Sequence, residues 1–292
     1  MILKNGSQGK EVKEIQEFLG LITDGKFGQK THNKVCEWQH QNKLVVDGIV
    51  GPATWNAMGL ASTDNSELTE ETESGLIIIN KHFLPENEYM TGSKPEYIFL
   101  HHTAGWNNPY NTIKHWADDK RGKVATEFIL GGQSIKGNDK RYDGELVQCM
   151  PQGGWGWHLG TGRSHMHQNS VGIEVNNFGW VKDGRTYAGT KADMSQVVTL
   201  AKPFRGYKTW HRYSDKQIEV LRDWILWVGE RDNIDVRAGL PALIKEKGAD
   251  AFEFNQEVLD GKHKGLWTHS NVRKTKSDMF PQPELMDMLV SL

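Results

Sequence analysis

The stretch Tyr97-Ile98-Phe99-Leu100-His101-His102-Thr103-Ala104-Gly105 constrains the fold of this chain more than any other. Four apolar or aromatic residues read as a short buried strand, and two imidazoles, a hydroxyl and a glycine arrive where that strand would end. A strand end is held rigidly by the sheet behind it, and neutral imidazole is the commonest protein ligand for zinc. Taken alone, such a pair is more often a packed or hydrogen-bonded dyad than a metal site. What else converges on it decides between the two.

Further strand-like runs follow at Thr126–Leu130, Leu146–Met150, Ser170–Asn177 and Gly265–His269, with Leu76–Ile79 as an edge or entry strand. Helical patterns lie between them. Asn111 or Thr112 is placed to cap a helix through Ile113, Trp116 and Ala117. Ser214 and Gln217 form a capping box ahead of the amphipathic series Ile218, Leu221, Ile225 and Val228, and Pro283 to Leu292 closes as a helix. Residues 230–264, short helical patterns broken by glycines, read as an insertion. Alternating strands and helices predict an α/β domain with a mixed sheet covered by helices. Gly153 to Gly160 holds too many glycines for a regular element and reads as a loop presenting aromatics and His158.

Residues 1–60 carry an internal echo. Asp24-Gly25-Lys26-Phe27-Gly28-Gln29-Lys30-Thr31 recurs as Asp47-Gly48-Ile49-Val50-Gly51-Pro52-Ala53-Thr54, each a turn, an apolar residue, a glycine and a threonine suited to starting a helix. Val12, Ile15 and Leu19 share one helical face, Val35 and Trp38 another, and Trp55 with Met58 begins a third. A small all-α domain of three helices is expected. Residues 61–75 are polar and acidic, too poor in apolar groups to offset their ordering, and read as a flexible linker. The larger domain then spans 76–292.

The formal net charge of -2, with Lys and Arg scattered among acids, excludes a basic arm, so no nucleic-acid partner is expected. Cys36 and Cys149 fall in different domains, which argues against a disulfide framework. No apolar run approaches a membrane span, and Met1 to Ser7 lacks the core of a secretory signal. The product is expected to accumulate in the cytoplasm as a monomer and to need release by something other than a leader of its own. Eleven tryptophans suit core packing first and stacking on sugar rings second.

Gly6-Ser7-Gln8-Gly9, Val12, Ile15-Gln16, Leu19-Gly20, the two Asp-Gly repeats and Trp38-Gln39 together resemble the three-helix peptidoglycan-binding module of cell-wall lytic enzymes. The resemblance implies docking to bacterial peptidoglycan without chemistry. His101 to Gly105, Trp157-His158-Leu159-Gly160, Val171-Gly172-Ile173-Glu174, Trp210 to Ser214, and His269 followed by Lys276-Ser277-Asp278 resemble the zinc amidase family that includes phage lysozyme-like amidases and peptidoglycan recognition proteins. That family implies His101, His269 and Asp278 as zinc ligands, the third being a cysteine in many members. It implies Glu174 as general base and Lys276 as the basic residue near the metal. It implies His158, Trp157, Thr126 and His102 as residues of the substrate cleft, with His102 a packing or supporting residue there and not a zinc ligand. Thr126 stands where some members place a catalytic tyrosine, which shifts proton transfer toward Glu174.

The resemblance implies hydrolysis of the amide between N-acetylmuramic acid and L-alanine, with a phage endolysin released through a holin as the setting. A bacterial or prophage autolysin and a non-catalytic wall receptor are the alternatives. A glycosidase would need a pair of carboxylates flanking a cleft, and none stands out in the sequence.

Overall fold

A computed structural model describes residues 2–58, 67–72, 75–136 and 139–292. Two compact units divide the chain, Met1–Asn65 and Ser66–Leu292. Among the described residues no helix is long and apolar enough to cross a membrane.

In the first unit, helices Lys10–Phe18, Gln29–Gln41 and Pro52–Ala57 enclose Val12, Ile15, Phe27, Val35, Trp55 and Met58. The sequence echo becomes a repeated hydrogen-bond cage. The buried Gln16 amide donates to Asp24 Oδ1 (2.7 Å), the Lys26 carbonyl (3.0 Å) and Thr31 Oγ1 (3.3 Å), and accepts from the Gly25 N–H (2.8 Å). One repeat later, Gln39 makes the same bonds to Asp47 (2.9 Å), Ile49 (2.9 Å), Thr54 (3.1 Å) and Gly48 (2.9 Å). The threonines were expected to cap helices and do not. Thr31 lies inside the first turn of a helix whose N-cap is Gly28, and Thr54 lies inside the third helix. Their hydroxyls serve the glutamines because water can satisfy a helix end, whereas a buried amide has only the protein.

The second unit is built on a seven-stranded mixed sheet. Its order is Glu67–Thr72, Gly75–Lys81, Leu146–Gln148, Phe128–Leu130, Ser170–Val175, Tyr97–His102, Gly265–Thr268. The last three strands run parallel to one another. Helices Asp215–Asp232, Leu240–Lys247 and Pro283–Val290 contribute Leu221, Trp224, Ile225, Val228, Leu240, Leu285 and Leu289 to the core that also holds Phe99, Phe128 and Ile173. The α/β architecture preceded by a small helical unit agrees with the sequence reading, as does the Ser214–Gln217 capping box.

Several details differ. Glu67–Thr72, within the stretch read as a linker, is an edge strand paired antiparallel to Gly75–Lys81. A hairpin pairs backbone with backbone, so it does not require the apolar content whose absence suggested a linker. Residues 61–66 and 73–74 of that stretch lie outside the described residues. The helix after the His-His strand is Pro109–Ala117, capped by Asn108, whose side chain accepts from the Tyr110 and Asn111 N–H groups, and not by Asn111 or Thr112. Proline at the first helical position was the overlooked signal. A separate four-stranded antiparallel sheet, Arg185–Thr186, Trp180–Lys182, Tyr207–His211 and Val197–Phe204, was not anticipated.

The paired cages make a testable statement. Gln39→Ala removes every bond the amide makes and leaves the Gly48 N–H without its partner. It should destabilise the helical unit by about 1–3 kcal/mol, read as a lower urea midpoint of the full chain, and an unchanged midpoint would mean the cage contributes nothing.

Candidate active site

Three parallel strands bring the chemistry to one edge. Register sets His101 opposite Glu174 and Thr268 opposite Leu100, so His269, one residue on, comes level with His101. The C-terminal edge of parallel strands is where such folds gather functional groups. Asp278 returns to the same place on a loop pinned by the Ser270 N–H donating to the Asp278 carbonyl at 2.9 Å.

His101 Nδ1 lies 3.0 Å from His269 Nδ1 and 3.4 Å from Asp278 Oδ2, and His269 Nδ1 lies 2.9 Å from the same oxygen. All three side chains are buried. Their hydrogen-bond partners determine where the protons are. His269 Nε2 sits 2.7 Å from the Leu159 carbonyl, which only accepts, so in the neutral ring Nε2 carries the hydrogen and Nδ1 a lone pair. His101 Nε2 faces His158 Nδ1 at 3.0 Å, and His158 Nε2 faces Ser170 Oγ at 2.9 Å. Ser170 Oγ in turn donates to the His167 carbonyl at 3.2 Å. With its own hydrogen spent there, Ser170 accepts from His158 Nε2–H. His158 Nδ1 therefore accepts from His101 Nε2–H, and His101 Nδ1 is also bare. Burial lowers the His101 pKa to about 4, which keeps the ring neutral.

Two lone pairs and a carboxylate oxygen thus face one another. That arrangement is repulsive by itself and is resolved by a cation, so the donor set fits a divalent metal.

The trio lies in a cleft of about 390 Å³ whose lining includes Thr126, Trp157, His158, Glu174, Arg273 and Lys276. The Glu174 pKa is raised to about 8, first by burial and then by the Asp278 carboxylate, with Lys276 pulling it back. A carboxylate tuned toward neutrality suits proton transfer near pH 7. A larger hollow of about 880 Å³ at the opposite ends of the same strands, by Glu96 and Gly265, holds surface pairs such as Lys264–Glu96 and no comparable convergence.

The N-acetylmuramoyl-L-alanine amidase family model matches residues 91–279, spanning every residue of this cleft, and the peptidoglycan binding domain model matches residues 8–58. The chain belongs to the N-acetylmuramoyl-L-alanine amidase family. Among solved structures it is similar to a peptidoglycan-binding protein from Clostridioides difficile in complex with glutamine hydroxamate, at 42% identity and TM-score 0.20 over 20% of this chain and 40% of that one. It is also similar to a mutant endolysin from Bacillus subtilis, at 18% identity and TM-score 0.34, covering 55% of this chain and 80% of that one. An N-acetylmuramoyl-L-alanine amidase from Clostridium intestinale aligns at 13% identity and TM-score 0.40, covering 70% and 91%.

The remaining expected residues of the amidase divide by what they touch. Trp157 is 38% exposed at the cleft and packs edge-on against Trp155 and His167. Thr126 lines the cleft, but its hydroxyl donates to the Phe128 carbonyl at 2.7 Å and is committed there. His158 has both ring nitrogens engaged inside the protein, so it braces His101 and offers substrate no ring nitrogen. His102 does not line the cleft. Neighbours on a strand point to opposite faces, and its ring packs against Trp210, Tyr213 and Phe280, with Nδ1 2.7 Å from the Tyr213 hydroxyl.

Ser170, Arg121, Trp116, Arg273 and the Leu159 carbonyl were missed. One of them was findable. Ser170, Gly172 and Glu174 share a strand face by alternation. Ser170 holds His158, Glu174 reaches the cleft, and a Cβ at Gly172 would lie 2.7 Å from Thr126 Cγ2 and 3.2 Å from His158 Nδ1.

If the chain of bonds orients His101, Ser170→Ala should weaken divalent-metal affinity about 10–100-fold while the unfolding midpoint moves little. Competition against a chromogenic chelator reads this directly, and unchanged affinity would show that His101 is held without Ser170.

Proposed function

We propose that this chain is a zinc-dependent N-acetylmuramoyl-L-alanine amidase. The bond cut is the amide joining the lactyl group of N-acetylmuramic acid to the L-alanine that begins the stem peptide. The observation that carries the reading is the meeting of His101 Nδ1, His269 Nδ1 and Asp278 Oδ2 beside Glu174 and Lys276 in one cleft. Two imidazoles and one carboxylate are a three-ligand set that leaves a fourth position open, as in catalytic zinc sites. Zinc held there would supply a Lewis acid that polarises the scissile carbonyl and lowers the pKa of a water from ~15.7 toward ~7.

The side chains do the rest. Glu174 accepts a proton as water adds to the carbonyl carbon, then returns it to the alanine nitrogen as the C–N bond breaks. Lys276 donates to the carbonyl oxygen as it gains negative charge, a contribution of ~3 kcal/mol for one such donor. The bonds to Leu159 and through His158 to Ser170 hold both imidazoles with Nδ1 free. Trp157 offers a flat apolar face at the cleft edge suited to a sugar ring.

A filled ligand set supports turnover over simple wall recognition. The helical unit would dock the enzyme to peptidoglycan, raising the local concentration of wall bonds at the cleft. The protein would act as a monomeric phage endolysin on a host wall reached through a holin.

Digests of purified peptidoglycan should release stem peptides beginning in L-alanine. Release should stop with chelator and return with added zinc. Glu174→Gln should lower turnover by about 10²–10⁴ with zinc content intact, whereas loss of zinc from that variant would make Glu174 structural. Sugar fragments in the mass spectrum would place the cut at a different bond.

A further inference from the structure

We propose that Arg273 reads a free carboxylate on the peptide side of the scissile amide. The enzyme would then prefer stem peptides whose second residue, the D-glutamate after L-alanine, keeps its α-carboxylate over those in which it is amidated. The proposal rests on the amidase reading.

Three cations line the cleft, Arg121, Arg273 and Lys276. Arg121 is bound by Asp119, with Nη2 to Oδ2 at 2.6 Å. Lys276 is given to the scissile carbonyl oxygen in the proposed reaction. The Arg273 guanidinium, on a half-buried side chain in the cleft wall, has no ion-pair or hydrogen-bond partner among the described residues, which leaves its fork of donors available to a ligand.

Gly160, at φ +58°, passes close beside the guanidinium: a Cβ there would lie 1.8 Å from Arg273 Nη1, so a larger residue would push the end of that side chain aside. The root of the side chain is tied to the catalytic loop from both sides. The Arg273 N–H donates to the His269 carbonyl at 3.1 Å, and the Lys276 N–H donates to the Arg273 carbonyl at 3.1 Å. The backbone of Arg273 is thus fixed relative to a proposed zinc ligand and to the proposed oxyanion donor.

A guanidinium so placed discriminates by charge and shape. A carboxylate accepts two parallel N–H bonds and neutralises the charge, whereas a primary amide offers one acceptor and brings donors of its own. At about 3.5 Å of chain per residue, the second stem residue lies about 7 Å from the scissile carbon, within reach of a side chain four residues beyond His269.

The test uses the zinc-loaded full chain with two synthetic ligands, N-acetylmuramoyl-L-alanyl-D-glutamate with its γ-carboxyl capped as the methylamide, and the same molecule with its α-carboxyl amidated as well. Dissociation constants are measured by calorimetry, and release of the free dipeptide by mass spectrometry. The unaltered protein should bind the acid at least about tenfold more tightly, the ratio expected of a charge-assisted pair over a neutral one. Arg273→Gln should cut binding of the acid at least about tenfold more than binding of the amide. Gly160→Ala, which displaces the guanidinium without removing it, should move the ratio the same way. Equal binding of the two ligands by the unaltered protein, or equal losses for both in Arg273→Gln, would overturn the proposal. Preferential binding of the acid with no cleavage of ligand or wall would overturn the amidase reading and leave the carboxylate preference standing.

Discussion

Two imidazole lone pairs and a carboxylate oxygen brought within 3.4 Å of one another in a buried site are the constraint around which the larger unit is arranged. Such groups do not gather spontaneously. Each loses hydration on burial, and like-facing acceptors repel until a cation joins them. The fold meets this cost with rigidity. His101 belongs to a strand flanked on both sides by parallel neighbours, and His269 opens a short helix directly after the outer of these. Asp278 is tethered back to that helix through Ser270. The apolar residues Phe99, Leu100, Ile173 and Leu266, all fully buried, hold the three strand ends in common register.

Orientation is set one layer further out. A backbone carbonyl fixes the tautomer of His269, and a serine backed by a carbonyl fixes that of His101 through an intervening imidazole. Both chains end on atoms that can only accept, so neither ring can turn its lone pair away without breaking a buried bond. The cleft loop from 157 to 160 takes part twice, through the Leu159 carbonyl and through His158. His167 steadies that loop by accepting the His158 N–H at 3.0 Å. The cleft loop and the three donor groups are therefore mechanically connected.

The helical unit solves a smaller problem by the same means. A module with few buried apolar side chains has little hydrophobic stabilisation to draw on. It places a glutamine in each repeat where the amide joins a helix to the following Asp-Gly turn and the next helix. Directional bonds then specify a geometry that a core of this size would leave loose.

Much of this was legible in the chain itself. The His-His strand, Glu174 among apolar neighbours and the ordered motifs through Asp278 located the cleft, because local periodicity and a fixed order of motifs are properties of sequence. The Asp-Gly echo likewise announced a repeated unit. The function of each side chain was decided by tertiary structure. Adjacent histidines diverge, His101 toward the cleft and His102 toward Trp210 and Phe280, because a pleated strand alternates its faces. His158 turned out to brace a histidine, Thr126 spent its hydroxyl on backbone, and Glu67–Thr72 became an edge strand through pairing alone. Sequence sets which groups are available and where each strand ends. Which lone pairs meet depends on neighbours far along the chain, and those contacts exist only once the sheet has closed.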